Sequence, residues 1–412
     1  MDEENGERRK EIARRVEYWR RRRGLTRRIF ADRLGRSASW AQKISSGDRQ
    51  LDRLSVLDQI ARVLEIPISV LIEDEESQRA AECVDEVEVA AIRRALQRYD
   101  AITTVFSVEP PPDPDLVKLN QRVTYAWSAF QAAHYSALGP LLAGLLVDAQ
   151  YASRQLSEDD QHSATVLLAQ TYQVTTSTVR KLGQHDLEWL AAERGVEVAE
   201  QTGDPVLIAG AAYRLVNALR ATNGAEAAVQ AAVAGAHRLQ PALETDVPER
   251  LSLLGTLLLQ GAVAASLGGN GSRTRGLLTE AQRISQRLGS DRNDFWTAFG
   301  PTNVLIHRVS ALVELREYGL AIETAAAMDP TALSVLPAER RANHFLDVGR
   351  AYSLGGQRDE AVSALLEADE LAPKEVRCRP LARDLIVDLW RRSRGAPSLD
   401  LRLLAERVGL AA

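Results

Sequence analysis

The stretch DFWTAFGPTNVLIH, residues 294–307, sets Trp296, Phe299, Asn303 and His307 at relative positions 0, 3, 7 and 11. That spacing makes one stripe of a helix if Gly300-Pro301 only kinks the chain. Aromatic faces beside amide and imidazole groups could grip a peptide or a small polar ligand, which makes Phe299, Asn303 and His307 candidate ligand contacts. The plainer alternative is that Trp296 and Phe299 pack between helices while Asn303 caps a helix begun by the proline. For Trp296, packing is the expectation. Tyr213, Arg214 and Asn217, in AGAAYRLVNALR, form a second candidate set of the same chemistry. Catalysis has no support. The sequence contains no Gly-x-x-x-x-Gly-Lys loop, no His-Glu-x-x-His and no Gly-x-Ser-x-Gly. Six histidines, at 134, 162, 185, 237, 307 and 344, are too scattered for a metal cluster. Cys83 and Cys378 lie far apart in sequence, so neither a disulfide framework nor a cysteine-based zinc site is expected. No metal or cofactor is expected.

The other concentration of chemistry is charge. The 412 residues carry 51 Lys and Arg against 56 Asp and Glu, a net charge of −5. Residues 1–72 alone hold 17 cations against 11 anions, and the remainder holds 34 against 45. A basic head on an acidic body suits a head that meets a polyanion and a body that does not. Arg outnumbers Lys 46 to 5, which reads as the coding bias of a GC-rich genome.

The head reads as five short helices. Ile12, Val16 and Trp19 fall at i, i+4 and i+7 and predict a first helix ending at Gly24. Thr26 can cap a second, with Ile29, Phe30 and Leu34 inward and Gly35 as its stop. Ser37 can cap a third that runs to about Ser45. Leu54, Leu57, Ile60, Ala61 and Leu64 mark a fourth, and Ile68–Ile72 a short fifth after Pro67. The acidic stretch EDEESQRAA, residues 73–81, reads as a hinge. A helix with Val87, Ala91 and Leu96 follows, and then EPPPDPD, residues 109–115, whose prolines force a stiff loop.

From about 116 onward helix follows helix, with no alternating strand pattern. In residues 342–375, Phe345, Val348, Gly349, Tyr352, Gly356, Ala361, Leu365, Ala368 and Pro373 stand at offsets 0, 3, 4, 7, 11, 16, 20, 23 and 28. These positions resemble a tetratricopeptide repeat, with Phe345 where Trp is usual. Weaker copies precede it in ALVELREYGLAIETA, in ALRATNGAEAAV and in LEWLAAERGVEVAEQTGDP, and residues 253–289 read as a further helix pair around GGNGS. A solenoid of roughly eight helix pairs is expected, at ~34 residues per repeat. No apolar run reaches eighteen residues, and MDEENGERRK lacks the apolar core of a signal peptide, so a cytoplasmic protein is expected.

GLTRRIFADRLGRSASWAQKISSG resembles the helix-turn-helix of Cro- and lambda-repressor-like regulators, the XRE family. Ala31 stands where that family crosses its two helices closely. Gly35-Arg36-Ser37 stands at its turn, with Arg36 replacing the usual apolar residue. Trp40, Ala41, Ile44 and Gly47 match its recognition helix, and LDRLSVLDQIARVLEIPISVL matches the helices that complete the domain, so the resemblance spans residues 12–72. It implies a helix lying in a DNA major groove, with Ala38, Ser39, Gln42 and Lys43 facing base edges. Arg27, Arg28 and Arg49 become candidate phosphate contacts. Ser37 either touches phosphate or caps the helix, and Trp40 either touches DNA or packs inward. HYSALGPLLAGLLVDAQ, LEWLAAERGVEVAEQTGDP and WTAFGPTNVLIHRV resemble segments of regulators from GC-rich bacteria with such a head and a tetratricopeptide body.

The expected fold is therefore all-α. A five-helix lambda-repressor-like domain is expected over residues 1–75, a hinge helix and Pro-rich loop over 76–115, and a tetratricopeptide-like α-solenoid over 116–412. The expected partners are double-stranded operator DNA, a second copy of the chain as a homodimer, and a peptide or small-molecule effector; no membrane is expected. The expected role is sequence-specific transcriptional regulation with effector sensing by the repeats. The alternative is a DNA-tethered scaffold that docks a partner protein.

Overall fold

The computed structural model describes residues 2–45, 54–74, 83–97, 113–222, 224–241, 244, 247–393 and 395–410. They divide into two compact units, Met1–Glu88 and Val89–Ala412. Every regular element among them is a helix. Most of the hinge expected over 73–81, much of the Pro-rich loop over 109–115, and both Gly47 and Arg49 lie outside the described residues.

The first unit holds α1 (Asp2–Arg22), α2 (Arg27–Arg33), α3 (Ala38–Ser45), α4 (Leu54–Leu64) and α5 (Ser69–Ile72), and it ends at Glu88 inside α6 (Glu86–Leu96). Local chemistry sets each boundary. The Thr26 hydroxyl accepts from the Ile29 amide at 3.2 Å and starts α2. Gly35, at φ +63°, takes the left-handed conformation that closes it, and the Arg36 amide returns to the Ala31 carbonyl at 2.9 Å. The Ser37 hydroxyl accepts from the Trp40 amide at 3.3 Å and starts α3. One core joins Val16 and Trp19 of α1, Phe30 and Ala31 of α2, Trp40 and Ile44 of α3, Ile60 and Leu64 of α4, and Leu71 of α5. Ala31 is fully buried, so the two helices of the turn meet at a methyl group. Ile29, expected inward, is instead exposed. The Thr26 cap fixes the phase of a seven-residue helix, which turns Phe30 and Ala31 to the core in its place.

The second unit is a stack of antiparallel helix pairs. They are α7 (Leu116–Gln131) with α8 (Tyr135–Gln155), α9 (Glu158–Lys181) with α10 (His185–Thr202), α11 (Pro205–Ala221) with α12 (Ala225–Leu239), and α13 (Pro248–Leu267) with α14 (Gly271–Leu288). Then come α15 (Pro301–Glu314) with α16 (Tyr318–Ala326), the short α17 (Pro330–Ser334), and α18 (Ala338–Leu354) with α19 (Arg358–Leu371). Short α20 (Pro373–Arg377) leads to a last pair, α21 (Pro380–Arg391) with α22 (Leu399–Arg407). The strongest sequence repeat is the pair α18/α19. Gly349 meets the Ala361 carbonyl across the pair, and Ala361 and Ala368 are fully buried, so small residues set the close crossing that the repeat pattern requires.

The first helix of each pair packs on the first helix of the next, from α7 through α9, α11, α13 and α15 to α18, and α18 also reaches α7. The row thus curls round an inner surface. A buried ionic cluster ties its two ends together. Lys181 of α9 contacts Glu339 of α18 at 2.5 Å and Glu375 of α20 at 2.9 Å, and Tyr135 of α8 hydrogen-bonds Glu375. Burial alone would raise the Glu339 carboxyl, but Lys181 and Arg340 outweigh it and hold it ionised. One reading of the sequence changes here. By length and composition α13 is apolar enough to cross a membrane, yet nine-tenths of that stretch is buried against the surrounding helices, as a core helix is.

Candidate functional site

In the first unit, α3 has two opposite faces. Trp40, Ala41 and Ile44 are buried, while Ala38, Ser39, Gln42 and Lys43 lie exposed on one stripe, at i, i+1, i+4 and i+5. Trp40 points to the core and carries the Arg36 guanidinium 5.8 Å over its ring. Ser37 is the cap. Arg27 lies 3.5 Å from Glu17, and Arg28 is exposed on α2. The neighbouring run Arg20–Arg23 is spent largely on the unit itself. Arg20 and Arg21 pair with Glu17 at 2.7 and 2.8 Å, Arg22 with Glu88 at 2.6 Å, and Arg23 with Asp85 at 2.7 Å. Arg22 also donates to the Cys83 carbonyl, and Arg23 to that of Leu64. The guanidinium groups of both lie about 5 Å from the Trp19 ring centroid, so these cations fasten the start of α6 rather than face outward.

The inner surface of the second unit encloses a cavity of about 160 Å³ with walls from α7, α9, α11, α13, α15 and α18. It brings together Tyr213, Arg214 and Asn217 of α11 with His307 of α15. Phe299 and Asn303 are placed elsewhere. The expected stripe is not one helix, because residues 294–296 form a single 3-10 turn and α15 begins only at Pro301. Phe299 is fully buried with its ring against Gly255 of α13, where a Cβ would overlap it. Asn303 is buried too, and its amide donates to the Thr297 carbonyl at 3.4 Å. Trp296 forms a wall of the cavity, stacked on Trp127 at 5.7 Å between centroids.

A hydrogen-bond chain runs through the cavity wall. His307 Nδ1 lies 2.9 Å from the Asn303 carbonyl, which only accepts, so Nδ1 carries the hydrogen. Nε2 then accepts from Gln260 Nε2 at 3.0 Å. Gln260 Oε1 accepts from Arg220 at 2.6 Å, and Arg220 also reaches Asn217 at 3.2 Å. Burial first, and then nearby Arg340, push the His307 imidazole down to about 3, so it stays neutral. The residues missed from sequence are the cations and their partners: Arg220, Gln260, Arg340 and the Lys181 cluster. One signal was present, because Arg214 and Arg220 interrupt an otherwise apolar helix. Among the described residues no group of three or more His, Cys, Asp or Glu converges as metal ligands would.

Residues 11–71 match a family model described as a helix-turn-helix domain. Sequence comparison with curated proteins gives no match. Among solved structures, the chain is similar to the crystal structure of Bacillus thuringiensis PlcR in complex with the peptide PapR7 and DNA, at 15% identity and a TM-score of 0.33, over 68% of this chain and 96% of that one. The matched residues span the second half of α1 through α5, including the capped turn between α2 and α3. The chain therefore carries an N-terminal DNA-binding helix-turn-helix domain, joined to a tetratricopeptide-like stack of helix pairs.

Proposed function

We propose that the chain is a sequence-specific transcriptional regulator that binds operator DNA as a dimer and senses an effector in the cavity of its helical-repeat unit. The observation that carries this reading is the division of α3, whose apolar face is anchored in the core while Ala38, Ser39, Gln42 and Lys43 stand outward together. Gln suits adenine and Lys suits guanine at base edges, and the Ala38 methyl suits thymine. Arg27, Arg28 and Arg49 supply phosphate contacts that fix the helix in the groove. Residues 1–75 are the reader, 76–115 the connection, and 116–412 the part that dimerises and senses. A single recognition helix reads only a few base pairs, so a second half-site on a dimer is needed for specificity. The role is binding, with no catalytic step and no cofactor.

The test is selection of bound duplexes from a random library by the full chain, repeated with Gln42→Ala and Lys43→Ala. Each variant should weaken binding to the selected operator by ~1–3 kcal/mol and relax preference at one position. An unchanged preference in Gln42→Ala would sink the placement of α3.

A further inference from the structure

We propose that the effector cavity receives a small organic acid, whose carboxylate meets the in-plane N–H groups of Arg214 and whose apolar body lies toward Trp296 and Ile306. This rests on the reading of the cavity as an effector site and names the ligand class.

Arg214 carries the argument. It is only 3% exposed, yet among the described residues its Nε and Nη1 have no hydrogen-bond partner. Its guanidinium lies 3.9 Å from the Tyr213 ring centroid and 5.0 Å from that of Trp127, so aromatic rings hold it in place. A ring contact leaves the N–H edge of a guanidinium unsatisfied, and a buried donor without a partner is costly to keep. No wall carboxylate answers it. Glu339 and Glu375 are engaged by Lys181, and Glu314 and Asp347 by Arg350 at 2.9 and 3.1 Å. Arg220 has only the neutral Asn217 and Gln260 as partners and leaves its own Nε unpaired. Against the cost of burial, Arg340 is held in its charged form by Glu339 at 3.9 Å and by Tyr213, and only its Nε is left unpaired. The cavity thus holds more cation than anion.

The titration of the wall agrees. Burial lowers the Arg214 guanidinium to about 10, with Arg340 and Arg180 adding to the effect. Burial also lowers Arg220 to about 10. A planar carboxylate meets one edge of a guanidinium in two parallel hydrogen bonds, and each such edge of Arg214 pairs Nη2 with one of the unpartnered donors, Nε or Nη1. Phe130, Val263, Ala298, Ile306 and Trp296 line the same space and suit an apolar body. At about 160 Å³ the cavity takes a carboxylate with a handful of further atoms rather than a folded segment of chain.

The experiment uses the full chain and five probes followed by calorimetry: phenylacetate, its neutral amide, inorganic phosphate, and a leucine-terminated pentapeptide with a free end and the same peptide amidated. Phenylacetate should bind at least about tenfold more tightly than the amide, the range expected for charge-assisted hydrogen bonds. Arg214→Met should lose that margin while melting, without ligand, no lower than the parent, since it removes an uncompensated buried charge. Arg340→Met should reduce binding of the acid in the same direction. The proposal is overturned if the amide binds as tightly as the acid, or if Arg214→Met binds the acid unchanged or melts well below the parent. Tighter binding of phosphate would overturn the carboxylate assignment, and tighter binding of the free-ended pentapeptide would overturn the small-acid one. Operator affinity is measured separately. Acid binding with no change in operator affinity supports this assignment and removes the effector reading, whereas loss of acid binding leaves the effector reading to be judged on the operator alone.

Discussion

Tyr213 lies buried on the guanidinium of Arg214, with Arg340 and Arg180 adding to the same field. Burial pushes the phenol up, but the three cations outweigh it and bring it down to about 8. An acid whose native pKa lies below its unfolded value stabilises the fold above the unfolded value and loses that contribution as pH falls through the native one. Stability should therefore rise from about pH 8 toward pH 10 in the parent, relative to Tyr213→Phe. Tyrosinate absorbance should show a residue titrating near 8 that is missing from the variant, and coincident curves would refute the assignment. His307 and His344 work on the acid side. Burial lowers His307 to about 3 and His344 to about 4, so the unfolded chain takes up protons below pH 6.5 that the native state refuses. Stability should decline from pH 6.5 downward through those values, as denaturant melts at successive pH would show. In the head, Arg28→Ala should weaken all DNA sequences alike and lower the salt slope by about one, unlike the base-selective loss at Gln42. A loss confined to one operator would assign Arg28 to a base edge.

At the scale of elements, the capped turn between α2 and α3 was legible because its signals are local. Thr26, Gly35 and Ser37 each act on backbone groups a few residues away, and Ala31 states how closely the helices cross. The pair α18/α19 was legible for the same reason, since its small and large positions repeat at fixed spacing. The wall around residues 291–300 was not. Phe295, Trp296 and Ala298 all take positive φ there, a conformation that pattern reading assigns to glycine, and long-range contacts hold them in it. Asn293 accepts from the Ala298 amide and exchanges hydrogen bonds with Gln131 of α7, while Asp291 holds Thr302 at the start of α15. Apart from Arg214 and Arg220, which break an apolar helix, the buried cations were hidden differently, because in a chain with 46 Arg a single guanidinium does not stand out from its composition. The packing that seats this wall gives an element-scale prediction. Gly255→Ala drives a Cβ into the Phe299 ring, so it should cost ~1–3 kcal/mol of overpacking and shift tryptophan fluorescence through the Trp296–Trp127 stack. Wild-type melting and emission would show that the ring moves aside without strain.

At the scale of the molecule, the first unit has its own core and also its own closure. Arg22 and Arg23, side by side at the end of α1, are buried against Trp19 and are satisfied by Glu88, Asp85 and the Cys83 carbonyl. A fragment cut at residue 75 strips those partners and leaves two cations facing an indole in a low-dielectric pocket, a loss that removal of one side of a buried pair makes severe. A fragment cut at residue 90 keeps them. Residues 1–90 should therefore melt well above residues 1–75, while both keep the exposed stripe of α3. Neither fragment carries the helical-repeat unit. If that unit supplies the dimer, each fragment engages one half-site at a time, and its operator affinity should fall far below that of the full chain while its affinity for an isolated half-site stays close to it. Measuring both targets at equal molarity separates a poorly folded reader, which loses half-site binding, from a well-folded monomer, which loses only the advantage of two linked sites. Equal operator affinity for residues 1–90 and the full chain would place dimerisation within the reader and take it away from the helix pairs.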